Sequence, residues 1–194
     1  MVSVKIRKDN VAAVLKGIAS LARQDVLVGI PGTEGDHAGE DGRPVTKAEL
    51  GYIHENGSPA SNIPARPFLL PGVRDVQDKT INDFRAAATA ALNGNSEKVL
   101  SAMSRAGERA AQSAKSVMTN SAYTPLKPGT IANRWRSRNT ASRRKGEKQY
   151  MDMIASGAQA AGMSLSDIEA AAGIQPLINT GELRNSITYV IRKK

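Results

Sequence analysis

The segment Asn62-Ile63-Pro64-Ala65-Arg66-Pro67-Phe68-Leu69-Leu70-Pro71 restricts what this chain can fold into more than any other. Its three prolines fix φ and remove backbone donors, so it is neither a helix interior nor a central strand. It is nevertheless strongly apolar, and Arg66 is its one charge. A stiff, extended, apolar segment needs something to pack on, either its own sheet or a neighbouring subunit. Spacing alone favours a surface turn leading into a helix, with Phe68 and Leu69 as core anchors and Arg66 solvated. Upstream, Thr46 is placed to cap a short helix and Glu49, three residues on, to complete a capping box. Leu50 and Ile53 share a face of that helix, and Gly57 ends it.

At 194 residues the chain has the length of one domain, or of one domain with an appendage, and enough of it to bury a real core. Aromatic residues make up only 4%, so that core is expected to use Val, Ile, Leu, Met and Ala in closely packed helices. There is no cysteine, which excludes disulfides and thiolate metal sites. No apolar run approaches the roughly 20 residues of a membrane span. Met1–Asn10 does not read as a signal peptide, so the expected location is a cytoplasm or an assembly formed there. The net charge of +9 implies attraction to a polyanion or an acidic protein surface. The charge is patterned: Arg134, Arg136, Arg138, Arg143, Arg144, Lys145 and Lys148 form a basic run broken only by Glu147, whereas Glu34, Asp36, Glu40 and Asp41 cluster earlier.

Val2, Val4 and Ile6 alternate with polar residues as a half-buried strand over 2–7. Asp9 or Asn10 caps a helix whose apolar positions are Val11, Val14, Leu15, Ile18 and Leu21. A strand follows, with Val26, Val28 and Ile30 on one face. Residues 31–45, rich in Gly and Pro, read as a flexible loop without the ligand alternation of a calcium site. A long helix is predicted over 73–92, burying Val73, Val76, Ile81, Phe84, Ala87, Ala88 and Ala91, with Asn93-Gly94 as its stop. Ser96 caps a second, over 97–119, with Val99, Leu100, Met103, Ala106, Ala110, Ala114 and Val117 inward. Together they form an antiparallel hairpin. Thr130 caps a short helix that places Ile131 and Trp135 on one face, Trp135 as a packing anchor. The charged stretch 136–148 should be poorly ordered in isolation. Helical patterns return over 150–161 and, between Ser164 and Gly173, in a capped segment. Thr180 caps a last turn before Ile187, Tyr189 and Ile191 alternate as a strand. The fold class is therefore α+β: a small, mostly antiparallel sheet of the N-terminal, 26–30 and C-terminal strands against long helices, with a helical and basic insertion.

The catalytic inventory is thin. The two histidines, His37 and His54, have no zinc-site spacing, no serine sits in a Gly-framed elbow, and there is no phosphate-cradling Gly-Lys-Ser/Thr loop. No enzyme and no cofactor is expected. The 134–148 run has three readings: a phosphate-neutralising arm for DNA, an electrostatic clasp on an acidic neighbour, or a solvated loop. The first two rank level.

The short helix ending in Ile53-His54-Glu55-Asn56-Gly57-Ser58, then the Ile63–Leu69 segment and a long helix, resembles tailed-phage neck proteins of the tail-completion and virion-morphogenesis families. A second block, Pro176-Leu177-Ile178-Asn179-Thr180-Gly181-Glu182-Leu183-Arg184-Asn185-Ser186-Ile187, is similar to the "PL-x-x-TG-x-L-x-x-S-I" segment with which such proteins close. The resemblance covers roughly 1–135 and 174–194. It implies one domain over 1–194, with an insertion or arm at about 136–173 that has no counterpart in the family. It further implies a structural virion protein, in a ring of six or twelve copies. The ring would lie at the head–tail junction, completing the tail and joining it to the head connector. Its partners would be further copies, the connector, and the tail terminator or tail tube, with contact to packaged DNA as an option and no membrane. The residues expected to make the assembly contacts are Ile63, Pro64, Arg66, Phe68 and Leu69, with Leu177, Thr180, Leu183 and Arg184. The rival function is a non-specific DNA-binding protein acting through the basic 134–148 arm.

Overall fold

The computed structural model describes residues 11–32, 36–38, 44–136 and 141–194, with the backbone alone for 36–38, 44 and 141–144. The fold is α+β. In chain order the elements are α1 (Val11–Ala22), β1 (Gln24–Gly29), β2 (Asp36–Ala38), β3 (Pro44–Thr46), α2 (Lys47–Asn56), α3 (Leu69–Asp75), α4 (Gln77–Leu92), α5 (Ser96–Asn120), α6 (Pro128–Arg136), α7 (Ala141–Ala155), α8 (Leu165–Ala172), α9 (Glu182–Asn185) and β4 (Thr188–Lys193). The predicted strand over 2–7, the caps Asp9 and Asn10, and Arg138 lie outside the described residues. No described helix is long and apolar enough to cross a membrane.

The chain divides into two compact units: Met1–Gly29 with Leu70–Ala114 and Ile187–Lys194, and Ile30–Leu69 with Lys115–Ser186. In the first, β1 and β4 pair antiparallel from Gln24 with Lys193 to Gly29 with Thr188. The alternation read over 26–30 and at the C-terminal end thus closes one two-stranded sheet. Val26 and Ile191 turn toward Ala87, Ala90, Ala91, Val99, Ala102 and Met103. Small side chains let the backbones come close. A side chain at Gly17 of α1 would overlap the Ala91 carbonyl, and one at Gly72 of α3 would overlap the Ala114 backbone of α5.

Several expectations for these helices are corrected. The helix over 73–92 is two helices, broken at Val76. Its inward stripe is also rotated. Asp83, Ala87, Ala90 and Ala91 are buried, while Ile81 and Phe84 are 38% and 41% exposed. The Asp83 carboxylate accepts from Arg105 Nε at 3.2 Å and Arg109 Nε at 2.8 Å, which turns that acid toward α5 and carries the two apolar side chains outward. On α5, Leu100 is exposed and Met118 is buried, and Asn95 rather than Ser96 caps the helix, its Oδ1 accepting from Lys98 N at 2.9 Å. On α1, Val11, Leu15 and Ile18 face outward; half-buried Val14, Gly17 and Leu21 share the opposite face.

The second unit is organised around Leu126, Ile131, Tyr150, Ile168, Ala172 and Ile174, with Met151, Met153, Ile154 and Leu165 at its margin. The core residue Tyr150 lies just past the charged stretch 136–148 expected to be poorly ordered. From Ala141 that stretch is helical, and Gly146 lies so close to the Ala172 carbonyl that no side chain fits between them. The helix stops at Ala155, short of the predicted 161. The capped segment is as read: Ser164 and Asp167 form a capping box, and Gly173 ends the helix in the left-handed conformation. α6 begins at Pro128, not at Thr130, since a proline without N–H suits the first helical turn. Ile131 is fully buried, but Trp135 is 43% exposed and is no anchor. Within 31–45, β2 and β3 form a short antiparallel ladder, Asp36 with Thr46 to Ala38 with Pro44.

Gly72→Ala is expected to lower stability by about 1–3 kcal/mol, the usual cost of overpacking against immovable backbone. Chemical denaturation monitored by circular dichroism measures it; an unchanged midpoint would mean that α3 does not approach α5 this closely.

Candidate functional site

The proline-rich segment is held by the helix that precedes it. Thr46 and Glu49 form the predicted capping box of α2, with Glu49 N donating to Thr46 Oγ1 at 3.2 Å and Thr46 N to Glu49 Oε2 at 2.9 Å. At the other end, Gly57 takes φ 76°, and a Cβ there would come within 2.8 Å of Ala65 N. This close approach is what requires the glycine. Ser58 and Ile63 then bridge, closing a turn in which Asn62 is left-handed at φ 52°. Arg66 N donates to the His54 carbonyl at 2.7 Å. The Glu55 carboxylate accepts from Phe68 N at 2.7 Å and Leu69 N at 2.8 Å, supplying acceptors where α3 begins.

Arg66 is only 5% exposed. Its Nε and Nη2 donate to the Thr124 carbonyl at 3.1 and 2.9 Å, and Nη2 also reaches the Pro125 carbonyl at 3.4 Å. Tyr123 Oη donates to the Pro67 carbonyl at 3.2 Å. Arg134 plays the corresponding part for the C-terminal block, with Nη2 donating to the Pro176 carbonyl at 2.7 Å and Nη1 to those of Gln175 and Ile178 at 3.3 and 3.5 Å. Glu169, also buried, accepts from Leu126 N at 2.5 Å. Burial pushes its carboxyl up, against the pull of the Leu126 amide, Arg66 and Arg134. Tyr150 Oη is buried without a partner, and burial, reinforced by Glu169, raises its phenol. His54 Nδ1 is likewise buried and unpartnered. Burial first, then Arg66 and Arg134, lowers the imidazole to about 4, so His54 is neutral at pH 7.

These groups border a cleft of about 940 Å³. Its walls come from 59–66, Thr124–Thr130, Arg134, Leu165 and Pro176, with His54 at the lining. Five of the lining residues are prolines, so the walls have few amide donors and many carbonyls. The cleft has a large cavity and buried polar groups, but no nucleophile activated by a neighbouring base. Among the described residues no group of three or more His, Asp or Glu is placed to hold a metal.

The residues expected to form assembly contacts separate into two sets. Phe68, Leu177 and Leu183 are buried in the chain's own fold and hold it together, and Arg66 is buried at the cleft with its guanidinium on backbone carbonyls. Ile63 and Leu69 are half-buried, Pro64 is exposed at the cleft, and Thr180 and Arg184 are half-buried. Arg184 Nε donates to Thr119 Oγ1 at 3.1 Å. Of the basic run, Arg134 is a staple on backbone carbonyls, and Arg136, Lys145 and Lys148 are exposed. The side chains of Arg143 and Arg144 lie outside the described residues, as does Arg138 altogether. Glu55 and Glu169 escaped the sequence reading. The usable signal for each was an acid near a proline-rich segment whose remaining amides need acceptors. Comparisons with protein-family models, characterised proteins and solved structures find no match to this chain.

A neutral buried histidine leaves a mark on stability. The unfolded chain takes up a proton near pH 6.5 and the folded chain only near pH 4, so folding loses stability as pH falls through that window. Glu169 acts in the opposite sense, because its raised carboxyl favours the folded state on protonation. Comparison with His54→Gln isolates the histidine. The stability of wild type relative to the variant should fall by about 3 kcal/mol between pH 7 and pH 4. A difference independent of pH would show that the imidazole is not held neutral.

Proposed function

We propose that this protein is a structural component of a tailed-phage neck, forming a ring that completes the tail and joins it to the head connector. The observation that carries the reading is the meeting of the two blocks that bear the resemblance. More than a hundred residues apart in sequence, they are one structural piece. Gly51 of α2 is buried with Ile30 and with Leu183 of α9 against it. Leu50 and His54 share a cavity of about 280 Å³ with Leu177, Thr180 and Leu183. Gly51 of the short helix and Leu183 of the closing block thus meet a common packing requirement. The ring would close by heterologous, rotating contacts between copies.

Its contact surface lies elsewhere than the motifs. In the first unit, α1 exposes Val11, Leu15 and Ile18, and α4 exposes Ile81 and Phe84. Exposed apolar side chains spaced along a helix suit contact between subunits. The protein's work on this reading is association rather than catalysis.

Native mass spectrometry of the purified protein should give a closed oligomer of six or twelve copies, and the protein should retain connector or tail-tube proteins in a pull-down. Phe84→Glu should break the oligomer and leave a folded monomer with an unchanged circular dichroism spectrum, since Phe84 is not part of the monomer's core. A protein that stays monomeric, binds no virion protein and retards random duplex DNA at about 0.15 M salt would replace this reading with the DNA-binding one.

A further inference from the structure

We infer that the cleft between 59–66 and Thr124–Thr130 is a docking site for an acidic, extended peptide segment of another protein chain. The inference goes beyond the neck reading and does not depend on it. The first ground is a buried cation without an ion pair. Among the described residues Arg66 has no carboxylate at ion-pair distance, and its Nη1 has no acceptor, while Nε and Nη2 are held by carbonyls. A buried guanidinium held by carbonyl dipoles, with Glu169 acting on it only from beyond ion-pair distance, gains from an anion that reaches it.

The second ground is the composition of the lining. It contains Arg66, Lys127 and Arg134 and no acidic side chain. The nearest buried acid, Glu169, is engaged by the Leu126 amide. His54, with its buried and unpartnered Nδ1, borders the same space. Unsatisfied buried polar atoms at the edge of a cavity are where a ligand's polar groups belong.

The third ground separates a peptide from a nucleic acid. Beside Ser61, Asn62, Thr124 and Thr130 the lining is apolar, with Ile63, Leu126, Leu165 and five prolines, and it includes no Phe, Tyr or Trp. Single-stranded nucleic acid is held by base stacking on aromatic faces and by tracks of phosphate-neutralising cations. Here the cations sit among aliphatic walls. That suits a carboxylate on Arg66 with neighbouring aliphatic side chains against Ile63, Leu126 and Leu165. Recognition of acidic motifs by arginine is an established mode of peptide binding.

The test is fluorescence anisotropy on the full chain with a labelled octapeptide of alternating Glu and Leu. Its analogue with Gln in place of Glu and an oligothymidylate of similar length serve as comparisons. Saturable binding of the acidic peptide is expected, about tenfold weaker for the Gln analogue and absent for the oligonucleotide. Arg66 is needed for the fold, so the charge is reversed at exposed Lys127 instead. Lys127→Glu should weaken the peptide severalfold, whereas Lys148→Glu, outside this cleft, should not. No binding, equal binding of the Gln analogue, equal losses in both variants, or preference for the oligonucleotide would each overturn the inference. A ring that binds no peptide refutes the cleft and not the neck, and a monomer that binds peptide does the reverse.

Discussion

Backbone accounting around proline is the constraint on which the second unit depends. Prolines in 59–71, at 125 and 128, and at 176 remove donors, so these stretches cannot enter a ladder, yet every residue still carries a carbonyl. Unpaired carbonyls and amides inside a fold are expensive. Two arginines supply the missing donors, Arg66 to Thr124 and Pro125, Arg134 to Gln175, Pro176 and Ile178. Two glutamates supply acceptors, Glu55 to Phe68 and Leu69, Glu169 to Leu126. Each contact joins segments far apart in the chain, so the irregular segments are fixed as firmly as the helices.

The same four charged groups create the site. Burial, reinforced by the two arginines, leaves His54 neutral, and burial raises the Glu169 carboxyl against the pull of the same arginines. The cleft's walls are the proline segments themselves, so the structural solution and the binding surface are one object.

The first unit solves a different problem, building a core with almost no aromatic residues. It uses alanine and glycine to bring helices together and one buried acid, Asp83, to set the rotation of α4. The setting leaves Ile81 and Phe84 outside, beside an α1 whose Val11, Leu15 and Ile18 also face outward. On the proposed function, this is where contact between copies is to be found. The motif residues Phe68, Leu177 and Leu183 serve the monomer, which is why residues shared across a resemblance need not be the ones that touch a partner.

By itself the sequence determined the features governed by neighbours a few residues away. The capping boxes at Thr46 and Ser164, the stops at Gly57 and Gly173, the alternation that becomes β1 and β4, and the α+β class were all legible, because caps, turns and period-two patterns are local. Tertiary structure decided the rest. Helix periodicity placed Ile81 and Phe84 inward, but Arg105 and Arg109, more than twenty residues on, turned Asp83 in instead. Charge density marked the 136–148 stretch as loose, but from Ala141 it is helical, with Gly146 against the Ala172 carbonyl of α8 and Glu147 buried. Arg66 read as solvated because nothing near it in sequence is a partner, and its acceptors lie 58 and 59 residues away. A local signal carries no record of which distant carbonyl lacks a donor, and in this protein that shortage is what assembles the cleft.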